Sequence, residues 1–263
     1  MKTPAFLKNL WSGNLNLWKI VPVILFFTLW ELAARYGPFA GSAVFPPFSA
    51  VLLEMAALFK SGVMMKNFAS TLGRVLAGLC IGTVSGIGVG MLMGWQEKIY
   101  QSLSPIISLL YPIPALGWLP LLMLWIGINE TLPVAIISIG VFFPLCYNTA
   151  GGIRSVDPKM IRAAHILGAS EKRILFQVIL PNAAPQIFTG LKLSSGMSWR
   201  MVLAAEMVAI PTGLGALIMK AESLIRVDII MSSLVVLSLM CLSFEKILGV
   251  MERKMIGDWT DNA

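Results

Sequence analysis

Six stretches of this chain are apolar enough and long enough to be buried in lipid, at about residues 20–34, 72–95, 105–126, 131–150, 187–210 and 229–250. A membrane helix needs about 20 predominantly apolar residues. The hydrocarbon core offers no hydrogen-bond partners, so each such stretch must satisfy its own backbone as a helix. Composition agrees. Of the 263 residues, 57% are hydrophobic and 13% charged, whereas a soluble domain carries roughly 25% charged residues. The expected fold is an all-α integral membrane protein with about six transmembrane helices. It forms one domain over residues 20–250, with a segment at 1–19 and a tail at 251–263.

The net charge of +7 does not mark a nucleic-acid surface. Lys and Arg sit at the ends of apolar stretches without interleaved exposed aromatics, so no nucleic-acid partner is expected. Six spans put both termini on one side. That side collects Lys2, Lys8, Lys19, Lys98, Arg154, Lys159, Arg162, Lys172, Arg173, Lys246, Arg253 and Lys254, against Arg35, Lys60, Lys66, Lys220 and Arg226 on the other. Positive charge favours the cytoplasm, so both termini are expected there. The stretch at 20–34 follows a preceding segment too long for a usual signal peptide, and reads as a retained first helix. The cysteines, Cys80, Cys146 and Cys241, show neither metal-ligand spacing nor a disulfide framework. With one histidine, His165, and no paired carboxylates or nucleophile set, no catalytic residue and no metal site is expected.

Between the first two spans, residues 46–68 place Phe48, Val51, Leu52, Met55, Leu58 and Phe59 at helical spacing, with Glu54 and Lys60 elsewhere on the turn. This predicts a short amphipathic helix on the membrane surface. The second span carries Gly78, Gly82, Gly86, Gly90 and Gly94 four residues apart, a spacing that lets two helix backbones approach closely in lipid. The third contains Pro105, Pro112, Pro114 and Pro120. Such a helix is kinked or unwound, and broken helices often wall a transport path, which makes Pro112 and Pro114 pathway candidates. Charges within spans are Arg74, Lys192, Arg200 and Glu206. Lys192 and Arg74 lie near span ends, where long side chains reach the interface. Arg200 and Glu206 lie deeper, six residues apart rather than four, and are candidates for the pathway.

A polar, basic insert of about residues 151–182 separates the fourth and fifth spans on the cytoplasmic side. Asp157-Pro158 starts a helix, with Asp as cap and Pro in the first turn. Gly168 ends it, because a left-handed residue there favours glycine. Ser170 opens a second short helix running towards Pro181. Two short helices lying across the cytoplasmic face can fit a groove on a soluble partner.

At the insert the sequence resembles the membrane subunit of binding-protein-dependent ABC importers. Their signature is EAA, three residues, Gly, nine residues, then Ile-x-Leu-Pro. Here Arg162-Ala163-Ala164, Gly168 and Val178-Ile179-Leu180-Pro181 stand at the same spacing, with Arg162 in place of Glu and Val178 in place of Ile. Further motifs are similar to the nitrate/sulfonate/taurine/bicarbonate permeases: Phe45-Pro46-Pro47-Phe48-Ser49-Ala50-Val51, Tyr111-Pro112-Ile113-Pro114, Trp118-Leu119-Pro120-Leu121, Phe142-Phe143-Pro144, Asn148-Thr149, Arg154-Ser155-Val156-Asp157-Pro158, Trp199-Arg200 and Ala204-Ala205-Glu206-Met207.

The resemblance implies a type I importer permease fold in the prokaryotic cytoplasmic membrane. It also implies a second permease copy, two cytoplasmic ATPase subunits docked on Arg162, Ala163, Ala164, Gly168, Leu180 and Pro181, and an extracytoplasmic substrate-binding protein. ATP and Mg would be held by the ATPase. This chain has no G-x-x-x-x-G-K-S/T phosphate loop and is expected to hold no cofactor. The implied solute is a small oxyanion such as nitrate, sulfonate, taurine or bicarbonate. An ion-coupled secondary carrier, which needs no ATPase, is the alternative.

Overall fold

A computed structural model describes residues 17–38 and 40–260, with side chains from 20 to 254. The expected N-terminal segment and the last residues of the tail lie outside the described residues. Helix α1 is Leu17–Tyr36, α2 Phe48–Lys60, α3 Val63–Trp95, α4 Glu97–Leu110, α5 Leu119–Ile126, α6 Thr131–Arg154, α7 Pro158–Ile166, α8 Glu171–Ile174, α9 Leu180–Ala209, α10 Leu214–Ser223 and α11 Val227–Thr260. No strand occurs among the described residues.

Four helices are long and apolar enough to cross a membrane, and α4 with the segment Ala115–Ile126 makes a fifth if that bent pair is one span. The sixth expected stretch is α1, twenty residues long. Its Val21, Ile24, Phe26 and Leu29 all face outward, as an apolar solvent requires.

The centre of the fold is the parallel pair α3 and α6, the most extensive helix contact among the described residues. The glycine stripe makes it possible. A Cβ on Gly82 would stand 2.6 Å from the Val141 Cβ and 2.8 Å from the Ser138 carbonyl oxygen, and Gly78, Gly90 and Gly94 face Ile137, Thr149 and Ile153 just as closely. Gly86 sits over the Phe142 carbonyl. On its other side α6 packs against α9, and α9 against α10 and α11. Val75, Leu132, Ile136, Val141, Leu145, Val202 and Leu214 are buried at these contacts.

Several expected boundaries are corrected. The helix expected over 46–68 is α2, which stops at Lys60. Gly62 turns the chain at φ +76° and residues 63–68 begin α3. The third expected span, 105–126, starts earlier, at Glu97, and is broken at Tyr111–Pro114 with a bend of 85°. Pro112 and Pro114 lack the donors that would carry the helix through. The short helix expected to end near Pro181 does not end there. Glu171–Ala209 runs as one apolar helix, with a π turn at Leu175–Ile179. A proline at 181 removes its own N–H and crowds the carbonyl four residues back, and the wider π turn relieves that clash. The three cysteines are free.

Candidate functional site

The insert folds from its local sequence. Asp157 accepts a 2.8 Å hydrogen bond from the Lys159 N–H and caps α7. At the other end Gly168 adopts φ +77°. Its N–H donates to the His165 carbonyl, and the Ala169 N–H donates to that of Ala164, the paired bonds of a Schellman cap. Arg162, Ala163 and Gly168 are exposed, whereas Ala164, Leu180 and Pro181 are half-buried against the rest of the chain. The tip also presents Ile166 and Leu167, 86% and 85% exposed. Sequence reasoning passed over these two. Two large apolar residues beside a capping glycine, with nothing larger than alanine as an apolar partner three or four positions away, were the available signal.

Three of the four pathway candidates meet in space. Arg200 lies on the exposed side of α9. It borders a cavity of about 450 Å3 with Tyr111, Pro112, Pro114, Phe143 and Met201, so the broken segment and α9 share one wall. Arg200 also borders a second cavity, of about 560 Å3, between α9 and α11. No salt bridge or hydrogen bond engages its guanidinium among the described residues. Lys192, two turns below, is paired with Glu252 of α11.

Glu206 is elsewhere. It is buried near the end of α9 and borders neither of those cavities. The expectation that Arg74 reaches the interface is also corrected. Arg74 is 5% exposed, and its Nη1 donates to Glu206 Oε1 at 2.6 Å and to the Thr212 carbonyl at 2.8 Å. Its Nε and Nη2 hold both oxygens of Glu130 at 2.8 Å. Thr71 donates to Glu206 at 2.9 Å, and the Gly215 N–H, at the start of α10, donates to it at 3.0 Å. Glu206 therefore sits on a helix N-terminus, where partial positive charge favours a carboxylate.

Gly213, at φ +105°, folds over Glu206 so closely that any Cβ would collide with the carboxylate. The chain thus ties α3, α9 and α10 together at the end opposite the insert. This network was not read from the sequence because its partners lie 132 positions apart. The available signal was that Arg74 and Glu206, opposite in sign, fall at the same end of two spans.

With this geometry in place, comparison with known proteins fixes the class. Residues 82–257 match the family described as "Binding-protein-dependent transport system inner membrane component". A putative ABC transporter permease protein of Methanocaldococcus jannaschii is 35% identical over 241 residues, covering 90% of each chain. The taurine transport system permease protein TauC of Escherichia coli (strain K12) is 33% identical over 215 residues, covering 80% of this chain and 78% of that one. In structure, an inward-facing form of the MetNI methionine ABC transporter covers 71% of this chain and 93% of that chain, with a TM-score of 0.62 and 18% identity. The chain belongs to the binding-protein-dependent family of ABC importer inner-membrane permeases. It is a multi-pass transport permease subunit, and the ion-coupled carrier alternative falls away.

Proposed function

We propose that this chain is the permease of an ATP-driven importer for a small oxyanion of the nitrate, sulfonate, taurine or bicarbonate kind, with Arg200 as the cation that draws solute into the path. The observation that carries the reading is Arg200, exposed on α9 with no ion-pair partner among the described residues and facing a cavity walled by the broken Tyr111–Pro114 segment. An intramembrane charge without a partner is costly unless it faces water or a ligand. The taurine permease relative supports a solute that carries a sulfonate group.

Two copies enclose the path, both termini face the cytoplasm, and a binding protein delivers solute from outside. Two ATPase subunits grip the α7–α8 insert through Ile166, Leu167 and the small Ala163. These subunits hold ATP and Mg. Their closure draws the inserts together, and the continuous Glu171–Ala209 helix carries that movement to Arg200.

The test is co-purification of a tagged chain with its ATPase, followed by solute uptake in proteoliposomes. Wild type is expected to retain the ATPase. Leu167→Asp is expected to lose it while the detergent-purified permease keeps its melting temperature, since this side chain touches little. Arg200→Gln is expected to keep the ATPase and lose at least tenfold in anion uptake. Transport at the wild-type rate by Arg200→Gln would remove the role of Arg200, and an active chain that never retains an ATPase would remove the importer reading.

A further inference from the structure

A third cavity, of about 380 Å3, lies between α2, α3, α9 and α11 and stands apart from the solute path. It shares Trp199 with the larger cavity that Arg200 borders, and no residue with the other. Its floor is a stripe of α11 in which Val236, Met240 and Phe244 recur every fourth residue, with Leu239 and Ile247 along the rim. Val236 and Met240 are buried, whereas Leu239 and Ile247 are exposed, so the groove opens sideways towards lipid. From Val236 to Ile247 the helix rises about 16 Å at 1.5 Å per residue. One leaflet of the hydrocarbon core is about 15 Å deep, half of about 30 Å.

The lining holds no charged side chain, and its one hydroxyl, on Ser243, donates to the Leu239 carbonyl of its own helix. A polar solute would give up hydrogen bonds to water here without replacement. An acyl chain gives up none, and it restores the dispersion contacts that an empty groove forfeits. Charge stands at one end only. Phe59 of α2 and Phe68 of α3 wall the groove, and the turn joining these helices has Lys60 and Lys66 on either side of Gly62. Both lysines are exposed, and neither ammonium is engaged by a salt bridge or hydrogen bond among the described residues. The neighbouring carboxylates, Glu54 on α2 and Asp228 on α11, are both held by Arg226. The two cations are thus left for an anion outside the chain, and basic side chains at a membrane surface attract anionic headgroups.

We infer that this groove is a binding site for one anionic phospholipid, with an acyl chain against the α11 stripe and the headgroup phosphate on Lys60 and Lys66. The lipid belongs to the leaflet opposite the insert, since Arg74 lies towards that end of α3 and Lys66 stands two turns beyond it. It bridges α2, α3 and α11, and its place is independent of which solute the importer carries.

Native mass spectrometry of the whole chain, released from detergent with added dioleoyl phosphatidylglycerol or dioleoyl phosphatidylcholine, tests the site. Wild type is expected to retain one phosphatidylglycerol per chain, at least about fivefold more of it than of phosphatidylcholine at equal lipid concentration. The double variant Lys60→Gln with Lys66→Gln is expected to bring that ratio close to one. It is also expected to keep the wild-type melting temperature in detergent, since neither ammonium holds another element. Leu239→Trp, which sets an indole over the groove from its rim, is expected to cut retention of both lipids.

Equal retention of the two lipids by wild type would overturn the site, leaving only the headgroup-indifferent lipid that surrounds any membrane protein. Selectivity that survives in the double lysine variant would remove Lys60 and Lys66 as the headgroup contacts. Unchanged retention by Leu239→Trp would place the lipid elsewhere, and if that variant does not fold the lysine variant decides alone. Phosphatidylglycerol carried by the single chain but absent from a two-copy assembly would give the groove to the second copy instead.

Discussion

At the scale of single residues, the chain separates charges that hold it together from charges left open. Arg74 uses its guanidinium donors on Glu206, Glu130 and Thr212, but its two carboxylates are not equivalent. Glu206 is fully buried, whereas the Glu130 side chain is 68% exposed. Removing one partner of a buried pair strands the other charge and costs about 3–5 kcal/mol. An exposed partner contributes about 0–1 kcal/mol. Glu206→Ala is therefore expected to lower the denaturation midpoint of the purified permease sharply, and Glu130→Ala to leave it nearly unchanged, as read by thermal unfolding in detergent. Equal effects of the two would mean that burial does not set the strength of this cluster. The distinction was invisible in the sequence. Spacing within one helix could reject an Arg200–Glu206 pair, but no local pattern ties residue 74 to residue 206. The Asp157 and Gly168 caps, by contrast, depend on neighbours within a few positions and were legible.

At the scale of elements, the glycine stripe shows what periodicity does and does not reveal. Five glycines at four-residue spacing announced a close helix contact, and α6 fills it. The partner itself could not be read, because the facing Ile137, Val141 and Ile153 look like any other apolar span residues. A large side chain in the stripe must push α3 and α6 apart and forfeit their dispersion contacts. Gly82→Leu is expected to destabilise the permease by several kcal/mol, of the order seen for severe overpacking or worse. Gly88, on the same helix, faces open space. Gly88→Ala is expected to be neutral or slightly stabilising, since alanine favours helix by about 1 kcal/mol over glycine. Comparing expression and melting temperature of the two variants checks the pairing. A Gly82→Leu protein as stable as wild type would contradict it. The π turn at Leu175–Ile179 was not legible, because Pro181 announces a disturbance without saying whether the helix ends or widens. In lipid-facing protein a helix end would expose backbone groups, so widening is the outcome that keeps them paired.

At the scale of the whole molecule, the insert and the cavity belong to one helix. From Glu171 to Arg200 the chain stays helical through the π turn, a run of about 44 Å at 1.5 Å per residue. A displacement of the insert by a bound ATPase therefore reaches Arg200 through a single rod, provided the rod is stiff. This can be tested by softening the rod without touching either end. Asn182 and Gln186 are exposed on α9 between the π turn and Arg200, and glycine at each costs about 0.5–1 kcal/mol of helix relative to alanine. The double variant Asn182→Gly with Gln186→Gly is expected to assemble with the ATPase and hydrolyse ATP near the wild-type rate, because Ile166, Leu167 and the insert caps are intact. Solute moved per ATP is expected to fall several-fold, because part of each displacement is absorbed as bending before it reaches the cavity. Uptake and hydrolysis measured in the same proteoliposomes give that ratio directly. If it stays at the wild-type value, α9 is not the rod, and the movement travels instead from the insert through α6, whose last turn at Arg154 adjoins the same insert and whose other end carries the Glu130 contact.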